Sequence, residues 1–157
     1  MPNHYHLLLR PLKENAISDF MQKLGGGYTR YFNEKYKRTG VLFEGKYKYV
    51  HVGDERYFLH LPYYIHANPL KLKFPKWREG LAVGDVPRAI EFLKKYRWSS
   101  FPDYIGHKNF PSVTNRKFLW SMQNGRTDEE RAKNYLKDFT AWLKDFDASS
   151  LPEEVIH

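Results

Sequence analysis

Apolar residues spaced by three and four mark the helices of this chain. Ile17, Phe20, Met21, Leu24, Tyr28, Tyr31 and Phe32 form one such stripe, and Asn15 stands where a cap belongs. Gly25, Gly26 and Gly27 fall inside it. A glycine costs a helix about 1 kcal/mol, so either the helix breaks there or another segment packs on bare backbone. A second helix is predicted from the N-cap Asp54 to about Ala67, where Asn68-Pro69 stops it; Pro62 lies inside and should kink it. Leu70 to Gly84 is irregular. Asp85 then caps a helix to about Tyr96, with Pro87 tolerated in its first turn. Trp98-Ser99-Ser100 and Tyr104-Ile105-Gly106 read as a compact connection, with Trp98 a core anchor rather than a stacking platform. Asn115 caps a short helix to about Met122. Thr127-Asp128-Glu129-Glu130 is a capping box. It opens a helix with Ala132, Tyr135, Leu136, Phe139, Trp142, Leu143 and Phe146 on one face, and the tail from Asp147 is expected to be loose.

Two segments read as strands instead. His4 to Arg10 is a short apolar run before the turn at Pro11 to Asn15. Val41 to Val52 carries Phe43, Tyr47, Tyr49 and His51 after the break at Thr39-Gly40.

Composition adds a direction. The 157 residues carry a net charge of +8 and no cysteine, which excludes disulfides and cysteine-zinc sites. No apolar run reaches the roughly 20 residues of a membrane span, and no signal peptide is evident, so no membrane partner is expected and a cytoplasmic location is. The charge is uneven: from Thr127 onward four Lys/Arg face eight Asp/Glu, leaving +12 on the first 126 residues. Arg30, Lys35, Lys37, Arg38, Lys46 and Lys48 interleave with Tyr28, Tyr31, Phe32, Tyr36, Phe43, Tyr47 and Tyr49. Basic side chains neutralise phosphates and aromatic faces stack on unpaired bases. The same residues also suit a solvated basic face over an aromatic core.

Two motifs carry candidate chemistry. In a strand, His4 and His6 point to one face, about 7 Å apart, where two imidazoles can share a metal ion; most such triplets bind nothing. On a helix, Tyr64 and Asn68 share a face one turn apart. A tyrosine hydroxyl can attack a phosphodiester, and an amide oxygen suits magnesium or manganese. The plain alternative is a core tyrosine followed by a helix stop. Tyr63 and His66 lie off that face and read as structural, and His60 as a surface residue.

Taken together, these motifs resemble the single-tyrosine HUH (IS200-like) transposases, in particular their REP-associated branch. Met-Pro-Asn-His-Tyr-His-Leu-Leu-Leu is similar to the HUH strand, and Tyr64-Ile-His-Ala-Asn-Pro69 to that branch's Tyr-Ile-x-x-Asn-Pro signature. Tyr28 to Asn33, Gly40 to Lys48 and Tyr96 to Ser100 resemble it as well. The resemblance implies His4, His6 and Asn68 as ligands of Mg2+ or Mn2+ and Tyr64 as the nucleophile that forms a 5′-phosphotyrosine. It implies single-stranded DNA beside a small, REP-like hairpin as substrate. Arg30, Lys35, Lys37, Arg38, Lys46 and Lys48 are candidate DNA contacts. Lys71 to Lys95 stands as an insertion relative to shorter members, either a DNA contact or a surface helix.

The expected fold is therefore α+β: a ferredoxin-like antiparallel sheet with helices over residues 1–106, then a helical appendage over residues 107–157. The family has a strand and a helix upstream of the HUH strand, so the core is expected to be truncated at its N-terminus, and a homodimer is one way to complete it. A hairpin DNA- or RNA-binding remnant that does not cut is the alternative. A water-using metal hydrolase is disfavoured because no carboxylate pair accompanies the histidines, and no helix-turn-helix pair is found.

Overall fold

The computed structural model describes residues 3–147. It divides into two compact units, one of Met1–His6 with Val52–His157 and the other of Leu7–His51.

The first unit is helical. α2 (Glu55–Ala67) starts where Asp54 accepts the amide of Tyr57 at 2.8 Å, the cap read from sequence. It runs through Pro62, which has no amide to give the carbonyl of Phe58. Asn68-Pro69 ends the α-helix by tightening it into a 3₁₀ helix, Asn68–Leu72. Two further 3₁₀ helices, Trp77–Glu79 and Val83–Asp85, lie in the stretch read as irregular. α3 (Val86–Lys95) buries Val86, Ala89, Ile90 and Leu93, one stripe at three-four spacing. Asp85 gives its first turn no side-chain cap and pairs with Arg88 instead. After the short helices α4 (Phe101–Tyr104) and α5 (Arg116–Trp120) comes α6 (Asp128–Lys144). Its capping box is formed: Thr127 Oγ1 accepts from the Glu130 amide at 3.1 Å, and Glu130 accepts from the Thr127 amide at 3.4 Å.

α6 packs against α2, α3, α4 and α5 and is the spine of the core. Tyr135, Phe139 and Leu143 of α6 meet Tyr64, Leu93 and Phe101 in a single apolar cluster. Each fully buried Leu or Phe contributes on the order of 2 kcal/mol. His66 is buried among them. Its Nδ1 meets the Tyr135 hydroxyl at 2.7 Å and its Nε2 the Ser100 hydroxyl at 2.8 Å. A neutral imidazole has one donor and one acceptor, so one hydroxyl donates and the other accepts. The network ties α2 to α6 and to the start of α4. Burial drives the pKa of His66 down to about 3.

The second unit is built on α1 (Ala16–Tyr36), which runs unbroken through its three glycines. A β-carbon on Gly25 would meet the Phe43 ring at 3.9 Å, whereas Gly26 and Gly27 face open space. Tyr28 also packs on Phe43, and the hydroxyls of Ser18 and Tyr47 meet at 3.0 Å. α1 buries no residue fully. Asn15 sits in the left-handed region with no side-chain cap bond.

Further expectations are corrected. Among the described residues there is no β-strand, so the α+β, ferredoxin-like antiparallel sheet is absent. Residues 4–10 and 41–52 are irregular rather than ladder-forming. A strand exists only as half of a pair, and these two segments find no partner. Their side chains stay accordingly open, with Val41 and Tyr49 each 81% exposed. Trp98 is no core anchor: it is 74% exposed. Asn115 stands at the α5 cap without a side-chain bond. The tail expected to be loose lies outside the described residues.

Candidate active site

His4, His6, Tyr64 and Asn68 all fall in the first unit. Tyr64 and Asn68 are placed by α2 and by the 3₁₀ helix that continues it, one turn apart. Both are 1% exposed. The ring of Tyr64 packs against Trp77 and Phe146, with centroids 6.0 and 6.5 Å away, and those two rings also meet each other at 5.1 Å. Its hydroxyl is enclosed and makes no formed hydrogen bond. Burial raises its pKa, while Arg78 and the neighbouring Asn68 side chain pull the other way.

Arg78 connects these groups. It was not singled out from the sequence, where it is one arginine in an aperiodic stretch. The 3₁₀ helix Trp77–Glu79 carries it, and the buried indole of Trp77 anchors that turn. Its Nη2 donates to Oδ1 of Asn68 at 2.9 Å, and its guanidinium lies 5.3 Å from the centre of the Tyr64 ring. The only signal in the sequence is that Arg78 follows an apolar anchor within ten residues of Asn68.

The charge of Arg78 also acts on the histidines. His6 is half-buried and its pKa is lowered, first by desolvation, then by His4 and Arg78. The pKa of the exposed His4 is lowered too, by desolvation first, with Lys71 and Arg78 adding to it. The two rings stand edge to face with centroids 5.2 Å apart, and His4 Nδ1 meets Asn3 Oδ1 at 2.8 Å.

Both imidazoles are thus biased toward the neutral form that binds metal, and Asn68 brings an amide oxygen with two lone pairs. By donor chemistry, the set fits a divalent ion. Among the described residues no three His, Cys, Asp or Glu side chains cluster where they could hold a metal ion. In the arrangement seen, one lone pair of Asn68 Oδ1 is taken by Arg78.

The remaining candidates lie in the second unit. Arg30, Lys35, Lys37, Arg38, Lys46 and Lys48 are all exposed. Lys35 donates to the Tyr31 hydroxyl at 3.2 Å, and Arg38 donates to the Val41 carbonyl at 3.1 Å while lying over Phe32. Tyr63 packs on Tyr135, Phe139 and Trp142, as its position off the Tyr64 face implied. His60 is exposed. No helix among the described residues is long and apolar enough to cross a membrane.

Residues 1–68 match the family model described as "Transposase IS200 like". The match contains His4, His6 and Tyr64 and ends on Asn68, and it supports a transposase-like, DNA-processing function. No curated protein matches the chain, and no solved structure does.

Proposed function

We propose that this chain is a transposase of the REP-associated type that cleaves and rejoins single-stranded DNA beside hairpins through Tyr64. What carries the reading is the convergence on Arg78. One guanidinium bonds Asn68, lies over the Tyr64 ring and contributes to the lowered pKa of both His4 and His6.

In the reaction, the Tyr64 oxygen forms a bond to phosphorus as the bond to the 3′ oxygen breaks. The DNA leaves with a free 3′-hydroxyl, and its other half stays on the protein as a 5′-phosphotyrosine. Attack by a 3′-hydroxyl on that linkage rejoins the strand and returns Tyr64. His4, His6 and Asn68 would hold Mg2+ or Mn2+, which would supply Lewis-acid polarisation of the scissile phosphate. Arg78 places a fixed positive charge where the phosphate oxygens gain negative charge. Its charge also favours the tyrosinate against the burial that opposes it. Reaction requires the Tyr64 hydroxyl, enclosed in this structure, to be uncovered when DNA binds. Arg30, Lys35, Lys37, Arg38, Lys46 and Lys48 hold the phosphates of the flanking hairpin.

A second reading, a protein that holds hairpin DNA without cutting it, is favoured by one observation. The Tyr64 hydroxyl is enclosed, and Asn68 already has a cationic partner. A denaturing gel with labelled hairpin-flanked single-stranded DNA and Mn2+ separates the two. The transposase gives a denaturant-resistant adduct that chelator and Tyr64→Phe both abolish. Retained binding with no adduct supports the second reading and overturns the first.

A further inference from the structure

Far along the chain from the matched residues, the connection between α3 and α4 presents an aromatic pair to solvent. Trp98 is 74% exposed, whereas Trp77 and Trp120 are 1% and 7% exposed. Its ring runs nearly parallel to that of Phe110, at 22° with centroids 6.5 Å apart. The Arg97 guanidinium lies over both, 5.4 Å from the centre of Trp98 and 5.3 Å from that of Phe110. An exposed indole forgoes the burial that its large apolar ring would otherwise gain.

The connection is held by bonds that fix the rings outward. Asn109 donates through Nδ2 to the carbonyls of Arg97 and Ser99, which flank Trp98, at 2.8 and 3.1 Å. The buried carboxylate of Asp103 accepts the amides of Asn109 and Phe110, each at 2.9 Å. Ser99 Oγ accepts the Phe101 amide at 3.1 Å. The two rings are therefore set by a tied loop anchored in the core, and a ligand meets a pre-organised surface. Among the described residues, Arg97 makes no ion pair. An exposed aromatic pair with a guanidinium lying over it offers stacking to an unpaired base and charge to its phosphate, and the net charge of +8 favours such an anion.

We propose that Arg97, Trp98 and Phe110 form a stacking platform for an unpaired nucleobase of single-stranded DNA, with Arg97 on the adjoining phosphate. The choice of DNA as ligand rests on the DNA-processing reading. The platform itself needs neither the metal nor Tyr64.

The test is binding of a short, mixed-sequence single-stranded oligodeoxynucleotide without metal, followed by tryptophan fluorescence, with the same sequence as a duplex for comparison. The single strand should quench the wild-type emission and shield it from acrylamide, because Trp98 is the most exposed of the tryptophans; the duplex should not. Trp98→Ala should weaken single-strand binding about tenfold or more with an unchanged circular dichroism spectrum, and Trp98→Phe should restore most of it while removing the quenching. Arg97→Gln should lower the salt slope by about one phosphate contact. Unchanged affinity and no shielding overturn the platform while leaving Tyr64 chemistry intact. Platform-dependent binding here, together with no covalent adduct in the Mn2+ assay on hairpin-flanked DNA, overturns the chemistry and leaves the platform. A wild type that binds no single strand overturns the platform. Concentration-dependent self-association abolished by Trp98→Ala, with DNA affinity unchanged, makes the surface a protein contact and overturns the proposal.

Discussion

Arg78 donates through Nη2 to Oδ1 of Asn68 at 2.9 Å, and so the oxygen proposed as a metal ligand is shared with an internal cation. On the proposed function, Arg78 and the ion draw on the same oxygen. Arg78→Met keeps the aliphatic stem over Tyr64 and removes the charge. A hydrogen bond from a charged group is worth about 1.5 kcal/mol or more, which corresponds to about tenfold in affinity. Mn2+ titration by calorimetry or spin resonance should therefore show tighter binding in Arg78→Met. Adduct formation should fall at the same time, since the charge beside the phosphate is lost. Unchanged Mn2+ affinity would mean that Arg78 and the ion do not meet.

Tyr64 gives a sharp separation of stability from chemistry. Its hydroxyl is enclosed without a formed hydrogen bond, and an unsatisfied buried polar group costs roughly 1–3 kcal/mol. Tyr64→Phe should leave the melting temperature unchanged or raise it, while abolishing covalent attachment. A marked drop in melting temperature would show that the hydroxyl is bonded in solution and that its role is structural.

Acid should destabilise the first unit through His66. Its folded pKa is about 3 against an ordinary value of 6.5. Between those values the unfolded chain takes up a proton that the folded chain refuses. Stability is full above the ordinary value and declines as pH falls below it, by up to roughly 1.4 kcal/mol per unit. His4 and His6 are shifted in the same direction and add to the slope. In denaturant melts across this window, His66→Gln should start lower at neutral pH and show a shallower decline. An equal slope in the variant would assign the acid sensitivity elsewhere.

How much of this was readable in advance follows from which forces are local. α6 was legible because a capping box and a three-four stripe are properties of short windows, Thr127 with Glu130 and then Tyr135, Phe139 and Leu143; α3 was placed from Asp85 and Pro87, although Asp85 forms no side-chain cap bond. The sheet was misread because residues 4–10 and 41–52 have strand composition, while pairing depends on a second strand that neither finds. His4, His6, Tyr64 and Asn68 stood out through spacing and resemblance. Arg78 did not, because its place is set by how Trp77 docks in the core. Trp98 was misassigned because a large aromatic is buried by default. The turn at Asp103 and Asn109 that turns it outward is made by contacts up to twelve residues apart.

α1 tests the cost of glycine directly. Gly26 and Gly27 face open space inside a continuous helix. Gly26→Ala and Gly27→Ala should each stabilise the helix by up to about 1 kcal/mol, visible as greater helical circular dichroism and a higher melting temperature. Loss of stability would mean that another molecule or segment covers that face in solution.

The central claim is that Tyr64, out of the twelve tyrosines in the chain, takes the DNA phosphate. Mass spectrometry of the nuclease- and protease-digested adduct, formed with Mn2+ on hairpin-flanked single-stranded DNA, reads this directly. The account predicts a nucleotide-bearing peptide modified at Tyr64 alone. Modification at another tyrosine, or DNA bound with no modified peptide, would contradict it.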